Sequence, residues 1–375
     1  MANDIYCGSY GCVIKSFFPC HNTSIEKPLK DLYITKFFGN EKYWQTEIAL
    51  NERIREIDLN NDFTIKMVDY CNANDNELSE LSKISRSNPS FNRIVGISNK
   101  YKIIYVYGGE DLDIFIASDY ILGYFNILNF LRSFINIFDG IIKLNENGLV
   151  HFDIKPDNIL YDKSKNRFTL IDFGLMQEKN AILTTNILRL FYQQQFMYYP
   201  SELNIFSYIV FDKPSNINEK ILNINELIYK LDVLYNSIHR HSSNKPKLRK
   251  LVALLLSIIN EIKEQLEHFN KFLLLFDDII ATLSKSKVID KKYKDICKDE
   301  ANDILSKVDV YMLGITLFNI LLKIIRKLLK ANKIDTILLI PHELFHLIKQ
   351  MILLNPCDRI KIQDARDEYK RIFDI

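Results

Sequence analysis

The chain has 375 residues, 47% of them hydrophobic and 26% charged, with a formal net charge of +2. That near-balance gives no global field to draw it onto nucleic acid or an anionic membrane surface, and the length exceeds one simple core. Its six cysteines (Cys7, Cys12, Cys20, Cys71, Cys297, Cys357) contain no CxxC pair, so reduced, partly buried thiols are expected rather than a zinc or disulfide framework.

In chain order, MANDIYCGS lacks a basic n-region and an apolar h-region, so no secretion signal is expected and the cytoplasm is the expected location. CVIKSFF (12–18), LYITKFF (32–38), FTIKMVDY (63–70) and YKIIYVY (101–107) are β-branched and aromatic and predict short strands. EKYWQTEIALNERIREI (41–57) repeats Trp44, Ile48 and Ile54/Ile57 at helical spacing. The polar stretch 72–92 predicts a surface loop. After GGED (108–111) the pattern turns helical, and 121–148 predicts one long helix stopped by Asn147-Gly148. NIL (158–160) and FTLID (168–172) predict two more strands. The apolar window 310–325 is too short to span a bilayer and is interrupted by Asn319 and Lys323, so a buried core helix is expected and no membrane partner.

Three stretches carry chemistry. HFDIKPDN (151–158) sets a histidine, two aspartates, a lysine and an asparagine between apolar runs. Turn chemistry would explain Asp, Asn and Pro there; convergence on a charged ligand would explain the whole set. IYCGSYGCV (5–13) offers glycines whose backbone can approach phosphate oxygens, though a plain hairpin reads the same. Lys36 ends an apolar strand, where a solvated lysine is the ordinary reading, and Asp172 closes another strand in IDFG, where a turn would do. The order Gly8/Gly11, Lys36, Asp153, Lys155, Asn158, Asp172 is what distinguishes these readings. It follows the order of the phosphate grip, catalytic loop and metal motif of protein kinases.

On those motifs the chain resembles a eukaryotic-type serine/threonine protein kinase over nearly all its length, in a style similar to kinases of large DNA viruses. The resemblance implies an α+β, bilobal fold: a small β-rich N-lobe (1–107) and a large helical C-lobe (108–375). It implies ATP and Mg²⁺ as cofactors and Ser/Thr hydroxyls of a protein as acceptor. Asp153 would accept the hydroxyl proton and Lys155 would steady the γ-phosphate. Asn158 and Asp172 would hold Mg²⁺. Lys36 would contact the α- and β-phosphates, paired with Glu47 in preference to Glu41 or Glu52. Gly8, Ser9 and Gly11 would form the phosphate loop. Ile5 and Val13 would cover the adenine from above, Leu160 from below, and Val106–Gly108 would be the hinge, with Tyr105 at the back of the pocket. Asp309 would brace the catalytic loop. YYPSE (198–202) and NPCDR (355–359) resemble the family's later motifs, in which Glu202 pairs with Arg359.

Departures from the pattern are informative. Tyr6 replaces the first loop glycine, and Ser201 a proline. Phe152 replaces the arginine that would receive a phosphorylated activation segment, so Thr184 and Thr185 lack their acceptor and constitutive activity or control by a partner is expected. About a hundred residues (203–306) intervene between Glu202 and Asp309. Two amphipathic stripes separated by HRHSSNKPK (239–247) predict a helical hairpin there, with core packing or a docking platform for a protein partner as its role. His239 and His241 read as solvated, as do the basic runs 245–250 and 291–298, so neither a metal nor nucleic acid is expected there. A monomer is expected. A catalytically silent kinase-fold scaffold and a small-molecule phosphotransferase of the same fold are the alternatives.

Overall fold

Side-chain alternation along the N-terminal strands builds a sheet with two different faces. The computed structural model describes residues 5–8, 10–20, 32–95, 101–123, 126–179, 198–200, 203, 303–353 and 355–375, with scattered positions between 229 and 263. The protein is mixed α+β and divides into two units, Met1–Gly109 with Phe168–Gly174 and Glu110–Arg167 with Leu175–Ile375.

In the first unit, β1 (Ile5–Cys7), β2 (Gly11–Ile14), β3 (Tyr33–Phe38), β4 (Met67–Asn72) and β5 (Tyr101–Val106) form an antiparallel sheet in the order β1-β2-β3-β5-β4. Val13 stands opposite Lys36, and Lys36 opposite Ile103. Directly opposed residues share a face, so Lys36 lies with Phe38, Ile103 and Tyr105 on the side that α1 (Glu41–Ile57) covers through Trp44 and Ile48. Asn40 caps α1 by accepting the Lys42 N–H. Just past its end, the buried Asp58 carboxylate accepts the N–H groups of Asp62, Phe63 and Thr64 and the Thr64 hydroxyl, which fixes the turn toward β4.

The other face of the sheet corrects an expectation. Residues 72–92, read as a surface loop, hold α2 (Asp75–Ser87) and α3 (Pro89–Ile94), which lay Leu81, Ile84 and Phe91 on Cys12, Ile14 and Phe37. Polar composition hid two apolar anchors one turn apart and a capping box in which Asn74 and Glu77 satisfy each other's backbone N–H groups. Glu77 also pairs with Lys102 at 2.7 Å, and Lys102 is only 1% exposed. Burial pulls that ammonium below its usual pKa while Glu77 opposes the fall. Glycine is required at 39, where a Cβ would lie 1.8 Å from the Ile94 carbonyl oxygen.

Two disulfides, Cys7–Cys12 and Cys20–Cys71, also correct the expectation of reduced thiols. Spacing alone concealed them: Cys7 and Cys12 meet only because β1 and β2 pair in that register, and Cys20 lies 51 residues from Cys71. Breaking the long-range bridge as Cys20→Ser/Cys71→Ser is expected to cost about 2–4 kcal/mol, on the scale of closing a loop that long in the unfolded chain. Urea unfolding without reductant measures it; an unchanged midpoint would mean the bridge contributes nothing. Cys357 is a free, exposed thiol, and Cys297 lies outside the described residues.

In the second unit, β6 (Glu110–Asp111) pairs antiparallel with β8 (Ile159–Asp162), and α4 (Leu112–Ala117) follows β6. The single helix expected over 121–148 is instead α5 (Ile127–Ser133) and α6 (Ile135–Glu146). Asn126 starts α5 by accepting the Asn129 N–H, and buried Phe134 separates the two helices. The stop at Asn147-Gly148 stands where expected, with Gly148 at φ +70°. β7 (Leu149–Val150) pairs with β10 (Gln177–Glu178). β9 (Arg167–Leu170) leads into 168–174, which belong with the first unit: the Leu170 N–H donates to Phe63 O.

The apolar window is the core helix expected, α7 (Val308–Lys330), buried almost throughout. A Cβ on Gly314 would meet Met351 and Ile352 within 2.8 Å, so glycine lets α7 approach the end of α9 (His342–Met351). The short α8 (Ile334–Ile337) precedes α9, and α10 (Ile362–Phe373) packs on α6 through Tyr369 on Phe138 and an Arg366–Asp139 ion pair at 2.7 Å. Within 203–306 most positions lie outside the described residues; Asp232 and Lys263, both helical, pair at 3.3 Å.

Candidate active site

Each unit carries its own group of the residues singled out in the sequence. In the first, Lys36 Nζ lies 2.6 Å from Glu47 Oε1, each side chain 20% exposed. Glu47 is therefore the partner; Glu41 instead accepts from the Tyr101 hydroxyl. The Tyr105 hydroxyl donates to the same Glu47 oxygen at 3.1 Å, and Asn51 Nδ2 donates to the phenol oxygen at 3.0 Å. Burial pushes the Tyr105 phenol well above its usual pKa, with the Glu47 charge adding to it and Asp172 contributing in the same direction. Asp172 sits at φ +61°, a left-handed conformation that non-glycine residues hold only where their surroundings impose it.

The loop between β1 and β2 closes with the Gly8 N–H on Gly11 O at 3.0 Å. A Cβ at Gly8 would have its nearest neighbour at 4.0 Å, whereas one at Gly11 would lie 2.6 Å from Phe37 O, so strand packing demands Gly11. Ser9 lies outside the described residues. Val13 shares the face of Lys36, but Ile5 does not: it stands opposite Ile14 and packs with the cluster under α2 and α3. That register corrects the pairing of Ile5 with Val13 and brings Tyr6 opposite Val13 instead. Val106 ends β5 with its N–H spent on Lys66 O, and Gly108 follows it.

In the second unit Lys155 Nζ bonds both Asp153 carboxylate oxygens, at 2.8 and 2.7 Å. Asn158 Nδ2 donates to Asp153 Oδ2 at 2.7 Å and to its backbone oxygen at 2.8 Å. Leu160 is buried on β8, opposite Asp111. Beneath the loop, Asp309 accepts the backbone N–H groups of His151 and Phe152 at 2.7 and 3.0 Å. Complete burial pushes the Asp309 carboxyl up, while His151 and the two N–H bonds hold it back. Phe152 takes φ +65°, so the carboxylate holds a strained turn in place. Thr316 donates to Ile154 O at 3.2 Å and was missed from sequence; its signal is the two-turn spacing from Asp309 along α7. Asn319 donates to the Tyr198 hydroxyl at 2.6 Å. Burial, then the Asp153 charge, raises the Tyr199 phenol pKa. Arg359 is buried on the carbonyls of Leu353 and Lys307, and its expected partner Glu202 lies outside the described residues, as do Thr184 and Thr185.

Residues 53–192 match the protein kinase domain family, a span that includes Asp153, Asn158 and Asp172. Across those residues the chain is similar to a protein kinase domain. Similarity to individual kinases is distant and local. It is 45% identical over 56 residues (15% of this chain, 6% of the relative) to a probable serine/threonine-protein kinase of Dictyostelium discoideum. It is 40% identical over 43 residues (12% and 8%) to the cell division cycle 7-related protein kinase of Homo sapiens, and 42% over 52 residues (14% and 15%) to a probable cell division control protein 7 homolog of Encephalitozoon cuniculi. The chain thus matches 15% or less of these relatives' length. All three are cellular proteins and lend a viral source no support.

Kinases typically use ATP and Mg²⁺, and each unit has an oxygen donor of a kind that suits the cation. Asn158 spends its amide N–H groups on Asp153, which leaves its oxygen as the end able to meet a cation. Asp172, in the first unit, is a carboxylate, the other ligand type such a cation takes. Magnesium asks for one or two such oxygens, with phosphate and water completing its shell, and no cluster of three acidic, His or Cys ligands occurs among the described residues.

Proposed function

We propose that the chain is an ATP- and Mg²⁺-dependent protein kinase that phosphorylates serine or threonine hydroxyls, its two units being the lobes of the kinase fold and residues 203–306 an insertion in the second. The observation that supports it best is the Asp153 arrangement: a carboxylate fixed by Asn158 and Lys155 over a loop that Asp309 holds in a strained conformation. A bare turn would need none of that bracing.

In this reading Asp153 orients the acceptor hydroxyl and takes its proton. Lys155, now on the Asp153 carboxylate, turns to the transferring phosphoryl group and neutralises charge that builds there. Lys36, held by Glu47, grips the inner phosphates beside the loop of Gly8, Ser9 and Gly11, whose Gly8 N–H now bonds Gly11 O and has to turn outward to meet a phosphate. Val13, Leu160 and the Val106–Gly108 segment contact the nucleotide base. Asn158 and Asp172 would hold magnesium, which supplies charge neutralisation on the phosphates when bound. Positioning and electrostatics provide most of the rate. A protein is the proposed acceptor, and the insertion a candidate surface for a protein partner.

The test is transfer of γ-labelled phosphate from Mg-ATP to generic basic and acidic proteins, followed by phosphoamino-acid analysis. Label on serine or threonine is the expected result. Nucleotide binding without turnover would replace the reading with a scaffold, and label appearing only on small alcohols would replace it with a small-molecule phosphotransferase.

A further inference from the structure

Glu47 is held from more sides than its ion pair with Lys36 requires. We propose that Tyr105 is a positioning residue, whose hydroxyl fixes the Glu47 carboxylate, and through it the Lys36 ammonium, keeping α1 seated on the sheet without an activation-segment phosphate. The inference rests on the role given to Lys36 above.

The direction of the network follows from its donors. A carboxylate only accepts, so the single phenol proton of Tyr105 goes to Glu47 Oε1, the oxygen that also takes Lys36. Asn51 Nδ2 donates into the phenol oxygen and to the Glu47 backbone oxygen, which leaves the phenol no choice of orientation. Asn51 is one helical turn beyond Glu47, so a single turn of α1 grips the tyrosine from two sides. The phenol is 3% exposed as a residue and keeps its proton across the physiological range.

Two further ties run from β5 to the same helix. Trp44 Nε1 donates to Lys102 O at 3.0 Å, and the Tyr101 hydroxyl to Glu41 at 3.2 Å. Tyr101, Lys102 and Tyr105 thus clasp α1 along more than one turn. Phe152, standing where the kinase pattern that the chain resembles has an arginine, offers no cation to a phosphorylated segment. A clasp internal to the first unit supplies the ordering that such a phosphate would otherwise provide.

The rival account is that Tyr105 merely fills the core beside Ile48 and Ile103. A double-mutant cycle separates the two. Trace acylation of lysines, read at Lys36 by peptide mass spectrometry without nucleotide, reports how firmly the ammonium is held. Tyr105→Phe is expected to raise Lys36 labelling about fivefold to tenfold, the scale of one lost intramolecular hydrogen bond, and to lower kcat about tenfold. In a Glu47→Gln background the same change is expected to move labelling by less than about twofold, because the group it acts through is already gone. Equal effects in both backgrounds, or none in the first, overturn the proposal. The expected labelling pattern in a protein that transfers no phosphate would sink the kinase reading and leave the role of Tyr105 standing.

Discussion

Asp153→Asn is expected to slow phosphoryl transfer at least ~10²-fold, the usual scale for removing a positioned base, with nucleotide affinity unchanged. The amide keeps the size of the carboxylate and one accepting oxygen, so Asn158 can still be met and the loop can keep its shape. Two things are lost. The amide cannot take a proton at neutral pH, and it offers Lys155 one neutral oxygen in place of the two charged ones it now bonds. Nucleotide contacts are assigned to other side chains, so a rise in the dissociation constant would point to loop collapse rather than lost chemistry. Single-turnover transfer rates, alongside equilibrium titration with Mg-ATP, measure both quantities. Equal rates in the variant and the parent would remove Asp153 from the mechanism.

Asp309→Ala is expected to cost about 2–6 kcal/mol of stability in urea unfolding, since it strands two buried N–H groups at about 1–3 kcal/mol each. The groups are those of His151 and Phe152, and Phe152 already holds a positive φ. Asp309→Asn should lose roughly half as much, because one oxygen can still accept while the amide hydrogens face a donor. Activity should fall with stability in both variants. Full stability with lost activity would mean that Asp309 acts chemically, and an unchanged midpoint in Asp309→Ala would show that the two bonds contribute nothing.

How much of this was legible in the sequence depended on distance along the chain. The helix at 41–57 was readable because its apolar period lies within one segment, and Glu47 as the partner of Lys36 because EIALNERI resembles the family's helix pattern. Asp309 beneath the catalytic loop came from a motif, whereas Thr316 beside it carried only a spacing signal. Three features escaped the sequence reading. The Lys102–Glu77 pair gave no signal because Glu77 sat in what read as a loop. Ile5 changed face because a one-residue difference in register inverts a strand. The continuous helix over 121–148 broke because periodicity does not register a cap such as Asn126 inside an apolar run.

The Cys7–Cys12 bridge turns the stretch from Gly8 to Gly11 into part of a small covalent ring. Reductant in a buffer therefore sets the chemical identity of that loop, not merely its surroundings. Two preparations that differ only in thiol poise are two different molecules at the segment assigned to the phosphates, and affinities measured on them belong on separate scales.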